Sequence, residues 1–422
     1  MGADVIFGSE KMHTTLASKI SDSPKLQHST RVLWIVIVGV AVFRGLLVHW
    51  QRQRGIYDIY KLAGEHWLAG NNIYDNRDSL IGFRYAPLIA AFMSPLAKVP
   101  DVVGSILFRT VNVAVFIVGA FAFLDRVVCA PRRTRAEAAF WLVLAPLAFS
   151  GLTDLQVNAL ATGLMMLAVA ALPQSKWNFA AACLTGAVLL KAYPIALMLP
   201  IILLWPRQMG WRCALALLLG LAAPFLLQRP AFVWDQYHRW FHLMLLNERH
   251  HLPMNLWYRD VRLPLGRMGV FVSDRAYLVL QLAAALWVAG VVVSLQRKPI
   301  NWRLHLGTLY GMTAGWMLAF GPASEGVTYI MLAPALTWLT VDALTQPHAK
   351  AWRWAIVTLF ACFAATELSL WFPFGRALRN LGPQPVAAVL FMVFLTSLQF
   401  APAVKRSSAQ ADLPIFAPET RI

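Results

Sequence analysis

The chain has 422 residues, of which 59% are hydrophobic and only 14% charged, and its mean hydropathy is +0.57. Soluble domains carry about 25% charged residues, so a water-soluble globular protein is excluded and an all-α polytopic membrane protein of one domain is expected. The net charge of +17 fits basic cytoplasmic loops and anionic membrane phospholipid, and no nucleic-acid module is present.

Cys129, Cys183, Cys213 and Cys362 lie in or beside apolar segments without paired spacing, which suggests neither a disulfide framework nor a zinc site. Lys11, Lys19 and Lys25 precede the first apolar run at residue 32, and no cleavable signal peptide is expected. Apolar runs near 32–48, 101–124, 138–152, 155–172, 177–190, 192–205, 211–227, 271–296, 304–320, 328–345, 353–371 and 385–401 predict about twelve membrane helices. Several are shorter than the ~20 residues that cross a bilayer squarely.

Between the first two runs the chain turns polar. A helix over 57–67 would place Arg54, Asp58, Lys61 and Glu65 on one face and Ile56, Ile59, Ala63 and Trp67 on the other, as in a helix lying on a membrane surface. Gly70 and Asn71 would end it. From pattern alone, two readings of this stretch stand: an amphipathic loop helix, or a carrier that holds Asp58 as a catalytic carboxylate at the membrane–water boundary. The run 85–99, with Pro87 and Pro95, is short and reads as interfacial or re-entrant.

Positive charge sets the parity. The short connections 125–137, 206–212, 297–303 and 346–353 are all basic, as is the chain after 402. The positive-inside rule makes them cytoplasmic, and they share one side only if 85–99 does not cross. The expected division is a cytoplasmic tail at 1–31, a transmembrane domain at 32–401 and a cytoplasmic tail at 402–422. The outer face then receives 49–100, 151–154, 190–192, 228–270, 321–327 and 372–384.

The two long outer segments, 49–100 and 228–270, are basic as well. Contact with lipid headgroups explains this, and so does a site for a phosphorylated lipid substrate. The second one interleaves aromatic, basic and histidine residues, including Trp234, Tyr237, His238, Trp240, His242 and Tyr258, with a second interfacial helix expected over 232–246. His250 and His251 are adjacent and lack helical metal-ligand spacing, so no metal site is expected there. Charges within apolar runs are costly and usually functional. Arg44 and Glu367 lie close enough to an outer helix end to reach the interface, whereas Arg109 lies deeper. Asp58, Arg84, Asp154, Gln156, Lys191, Arg249, His250 and Glu325 all fall on the outer side at similar depth, and this convergence marks a candidate site.

The motifs carrying these residues form an ordered series. It runs from the stretch 58–75, through 83–100, Gln156-Val157-Asn158 and Leu190-Lys191-Ala192-Tyr193-Pro194, to Ser324-Glu325 with Tyr329 and Pro334. In this the chain resembles glycosyltransferase family 87 (DUF2029), membrane mannosyltransferases of the GT-C fold that use polyprenyl-phosphate-mannose. Leu155, Asn255, Gly326 and Val327 stand where the family pattern differs.

The resemblance implies transfer of a hexose, mannose first, from a polyprenyl-phosphate-linked donor to a lipid or glycan acceptor. The site would lie on the extracytoplasmic face of the cell membrane, and the anomeric centre would invert. It places the catalytic base at Asp58. Leaving phosphate calls for cations, with Lys191 and Arg249 the first choices and Arg84 and His250 behind them. Tyr57, Tyr85, Asp154, Gln156, Asn158, Asn255 and Glu325 are the expected substrate contacts. No cofactor or metal is called for. A transporter of an anionic lipid-linked sugar and a GT-C glycan ligase are the alternatives. A transporter would carry its polar residues near mid-membrane, and a ligase a larger outer loop.

Overall fold

The computed structural model describes residues 24–50, 56–75, 82–128, 133–154, 156–245, 249, 252–297, 301–346, 348–369, 372 and 375–400. These residues form helices and turns, with no β-strand among them. Lipid offers no hydrogen bonds, so a spanning segment must satisfy its backbone internally, and a helix does so within one element. The first helices are α1 (Pro24–Trp50), α2 (Ile56–Ala69), α3 (Pro87–Ala97), α4 (Asp101–Phe123), α5 (Arg133–Thr153) and α6 (Asn158–Ala171). Then come α7 (Trp177–Leu190), α8 (Ile195–Leu204), α9 (Trp211–Ala222), α10 (Pro224–Leu227), α11 (Pro230–Leu245) and α12 (Arg262–Arg267). The chain continues through α13 (Asp274–Leu295), α14 (Trp302–Ala319), α15 (Ala333–Thr345), α16 (Lys350–Leu368), α17 (Gly375–Asn380) and α18 (Pro383–Phe400).

Every apolar run singled out in the sequence contains a helix. Among the described residues, six stretches are long and apolar enough to cross a membrane: Leu26–Arg44, Asp101–Val128, Ala136–Thr153, Pro206–Leu227, Asp274–Leu295 and Lys350–Leu368. The others are shorter or more polar. α6 is buried along most of its length and packs on α4 and α7, so its neighbours are protein rather than lipid. α1, α4, α9 and α13 instead present large apolar side chains outward, among them Ile35, Phe121, Leu218 and Leu286.

The connections segregate to two ends. At one, residues 56–75, 82–100, 228–245 and 252–273 meet the turns at 156–157, 191–194 and 321–327 and residues 375–382. Gln228 Nε2 donates to Trp67 O (2.8 Å), Ile73 N to Gln236 Oε1 (3.0 Å) and Arg259 N to Ser324 O (2.6 Å). The short basic connections gather at the other end, where His305 Nε2 meets Leu295 O (2.7 Å) and Gln296 Nε2 donates to Leu204 O (3.4 Å). This separation yields a direct test of sidedness. In a cysteine-free variant, Asp75→Cys is expected to react with a membrane-impermeant maleimide on intact cells, and Arg297→Cys only after permeabilisation. Both side chains are exposed, so the opposite pattern would invert the topology.

α3 rises about 16 Å, roughly half of the ~30 Å hydrocarbon core, and so cannot span it alone. It packs instead against α2, and Gly64 allows the close approach, since a Cβ there would lie 2.9 Å from the Met93 carbonyl. α2 ends where expected, with Gly70 at φ +68°. Its buried stripe, however, is Tyr57, Tyr60, Ala63, Gly64 and Trp67, while Ile56 and Ile59 are only half-buried. The stripe is rotated from the expected one because tyrosines, not isoleucines, fill the contact with Phe83, Tyr85 and Phe108. Lys61 is paired with Asp101 and lies 3.9 Å from Glu65, which ties α2 to the start of α4.

Two charges placed in apolar runs behave differently from each other. Arg109 is buried, as its depth implied, and its Nη1 donates to Ala41 O (3.1 Å) and Thr153 O (3.2 Å). Glu367 does not reach the interface. It is 3% exposed and accepts from Gln384 Nε2 at 2.7 Å, because α18 folds over the end of α16.

Candidate active site

Three turns and one long loop converge at the 56–100 end. α7 stops at Lys191, which is extended (φ −148°, ψ 132°) and whose N–H still donates to Ala187 O. Pro194 then opens α8, so the lysine sits on a tight hairpin tip. Gln156 lies in the turn between α5 and α6, and Asn158 begins α6. Glu325 precedes the 3-10 turn Gly326–Met331, and its N–H donates to Thr328 Oγ1 (3.3 Å). Arg249 comes from the long loop beyond α11.

These side chains form one network. Gln156 Nε2 donates to Glu325 Oε2 (2.6 Å), while Gln156 Oε1 accepts from Lys191 Nζ (3.1 Å) and Asn158 Nδ2 (3.1 Å). Arg249 Nη2 donates to the other carboxylate oxygen, Glu325 Oε1 (3.3 Å). The Gln156 amide is thereby fixed with its oxygen toward the lysine, and both oxygens of Glu325 are engaged. Arg249 also lies 4.4 Å over the Tyr258 ring, and Lys191 lies 5.3 Å from the Tyr193 centroid, both within cation–π range. Arg84 Nη1 donates to Tyr258 Oη (3.0 Å).

Burial works against the charge on Lys191. Tyr193, Tyr85 and Glu325 outweigh it and hold its pKa above the usual lysine value, so it is cationic at neutral pH. Burial likewise raises the Tyr258 hydroxyl, although Arg249 and Arg84 pull it down, and it stays protonated as a donor and acceptor between the two arginines. Arg249 thus pairs with Glu325, Lys191 is linked to it through Gln156 and Arg84 is held on Tyr258, in a partly desolvated corner where charge acts more strongly than in water. The arrangement can hold an anionic group.

The segment leading into this corner is pinned from both sides. Tyr74 Oη donates to Tyr85 O (2.7 Å), and Trp240 Nε1 of α11 donates to Arg84 O (3.3 Å). Tyr60 of α2 stacks on Tyr85 with ring centroids 5.0 Å apart, and its hydroxyl lies against Tyr85 and the Val157 backbone. α2 thus rests on the Gln156 turn, and Asp58, half-buried, stands two residues before that contact.

Of the residues picked from sequence, Arg84, Tyr85, Gln156, Asn158, Lys191, Arg249 and Glu325 come together. Asp154 flanks them, half-buried at the end of α5, where its charge is felt by Tyr60 and Arg109. Tyr57 is committed elsewhere. It is buried against Phe108 and its hydroxyl donates to Leu96 O (3.4 Å). Asn255 is exposed on the short turn Met254–Leu256 and joins no described hydrogen bond. His250 lies outside the described residues. No group of three or more metal-type ligands occurs among the described residues.

Sequence reasoning passed over Tyr60, gave Tyr193 only as part of the Lys191 motif without a role, and read Tyr258 only as part of an aromatic loop. A role for Tyr193 could have been read from its place near Lys191 in that motif. Tyr60 and Tyr258 carry no local signal, since their partners are remote in the chain. Gln384 was also missed. It is buried, and its amide links Glu367 (2.7 Å) to Gly326 O (3.3 Å), which braces the turn that presents Glu325.

No curated protein matches this chain. Solved structures that resemble it in outline include two of ArnT from Cupriavidus metallidurans. The apo form is 14% identical with a TM-score of 0.40, covering 88% of this chain and 77% of its own. The form bound to undecaprenyl phosphate is 14% identical with a TM-score of 0.42, covering 87% and 77%. The model of glycosyltransferase family 87 matches residues 83–322, more than half of the chain and the stretch that carries Arg84, Gln156, Lys191 and Arg249, and the chain belongs to that family.

Proposed function

We propose that the chain is a membrane glycosyltransferase that moves a hexose, with mannose the first donor to test, from a polyprenyl-phosphate carrier to a hydroxyl of a lipid or glycan acceptor. The observation that carries this reading is the cationic corner. Lys191 and Arg249 are anchored to one Gln156–Glu325 pair, at the end of the bundle where the outer segments meet. In this reading that end faces the extracytoplasmic side, and 32–401 forms the transmembrane domain between cytoplasmic tails.

The donor phosphate lies against Lys191 and Arg249, with Arg84 beside them and His250 as a further candidate. Asp58 takes the proton from the acceptor hydroxyl. That oxygen forms a bond to the anomeric carbon as the bond from carbon to phosphate oxygen breaks. The electron pair leaves on the phosphate, which the two cations stabilise as its charge grows. A single displacement of this kind inverts the anomeric centre. Tyr85, Gln156, Asn158 and Glu325 shape the corner. Glu325 sets the position of Arg249, and Gln156 that of Lys191.

Membranes containing the protein, incubated with radiolabelled polyprenyl-phosphate-mannose, are expected to transfer label into a lipid or glycan fraction. Label movement across the bilayer with the donor left intact would favour a transporter. Absence of both with mannose, but transfer with another polyprenyl-phosphate hexose, would revise the sugar and leave the chemistry standing.

A further inference from the structure

A second group of cations lies beside the Glu325 turn. Arg259 Nη2 donates to Asn380 Oδ1 (2.9 Å) and Arg267 Nε donates to Asn380 O (2.9 Å). Two guanidinium groups thus converge on one residue of α17, and Arg379 is its neighbour in the chain. The cluster reaches Gly326, where a Cβ would lie 3.7 Å from Arg379 Nη1.

Arg259 is held at three points. Its N–H donates to Ser324 O (2.6 Å), its carbonyl accepts from Tyr329 Oη (2.8 Å), and Nη2 is fixed by Asn380. Its Nη1 is buried and has no acceptor. A buried donor on a charged group left unmade is costly.

The nearby carboxylates hold other hydrogen bonds, although the charge of Glu325 reaches Arg259 and that of Glu367 faces Arg379. Glu325 holds Gln156 and Arg249, and Glu367 accepts from Gln384. Asp260 accepts from Arg262 N (3.0 Å). Neither Arg259 nor Arg267 forms an ion pair among the described residues. Burial, and then the charges of Arg379 and Arg267, hold the pKa of Arg259 below the usual arginine value. Like charges gathered in a half-buried corner, with a fixed donor pointing at nothing, are relieved by an anion.

We propose that Arg259, Arg267 and Arg379 form a second anion site, separate from Lys191, that takes a phosphate group. The guanidinium forks suit phosphate oxygens, which accept paired N–H bonds. Because Arg259 is already ordered, binding there loses little side-chain entropy. The phosphate belongs either to the headgroup of an anionic lipid or to free phosphate. The proposal does not depend on the transfer chemistry, and its test reads binding alone.

The purified full chain would be exposed to phosphatidylglycerol or phosphatidylcholine of equal acyl length, and retained lipid read by native mass spectrometry. In parallel, inorganic phosphate would be titrated against the melting temperature. Wild type is expected to retain phosphatidylglycerol preferentially. Arg259→Gln and Arg267→Gln should each weaken that retention about tenfold or more, and Lys191→Ala should leave it intact. If phosphate raises the melting temperature in wild type but not in the arginine variants, while the two lipids bind alike, the ligand is free phosphate. Equal behaviour of wild type and both arginine variants in both arms would overturn the site, as would loss in Lys191→Ala alone. Arg267 is exposed, so its variant keeps the test valid should Arg259→Gln fail to fold.

Discussion

Asp58→Asn is expected to fold, insert and bind donor, yet to lose ~10²-fold or more in turnover. Asparagine keeps the shape of the side chain and removes its basicity. A group that accepts a proton only as the transition state forms should affect turnover far more than donor affinity. As the proposed base, Asp58 is tested against its neighbour on α2, Glu65. Tyr60, two residues beyond Asp58, rests on Tyr85 and the backbone of the Gln156 turn, so α2 runs beside the cationic corner. Glu65 is exposed and lies 3.9 Å from Lys61, which is itself bound to Asp101. Glu65→Gln should therefore change turnover little. Transfer rates of both variants at matched membrane levels, beside donor-binding isotherms, separate the two carboxylates. Near-normal turnover by Asp58→Asn would sink its assignment as the base, and a loss confined to Glu65→Gln would move the base two turns along α2.

The second large effect is expected at Lys191. Lys191→Ala should weaken donor binding by about tenfold to a hundredfold, the range for losing one hydrogen bond to a charged group, and Lys191→Arg should recover part of it. The lysine is not a helix anchor reaching for the interface. It donates to Gln156 Oε1, lies over Tyr193, and is linked through Gln156 to Glu325 and Arg249. Its charge is sustained by its neighbours despite burial. Binding of a polyprenyl phosphate without the sugar is the informative measurement, since it isolates the phosphate contact. Unchanged affinity in Lys191→Ala, with normal protein levels, would return the residue to a structural role and shift the phosphate toward Arg249 and Arg84.

Much of this was legible in the amino-acid sequence. The all-helical membrane architecture, the place of the long apolar helices, the shortness of the 87–97 helix and the grouping of basic connections follow from local quantities. Those are the length of an apolar run, its glycines and prolines, and the lysines and arginines beside it. Helices form from contacts within a few residues, so their signal is local too. The polar residues of the site could also be picked out, because a charge at the end of an apolar run is conspicuous.

What only the tertiary structure decided is which of them meet. Gln156 and Glu325 are 169 positions apart, Arg84 and Tyr258 174, and Arg249 and Glu325 76. No periodicity links such pairs; they meet because helix packing brings distant turns to one end of the bundle. Packing also set the buried face of α2, where Tyr57 and Tyr60 displaced the expected isoleucines, and withdrew Tyr57 from the site. It buried Glu367 under α18 instead of leaving it at the interface, and it gathered Arg259, Arg267 and Arg379 around Asn380. In each case a side chain's role was set by neighbours contributed by another helix, and that information resides in the packed arrangement rather than in any single stretch of chain.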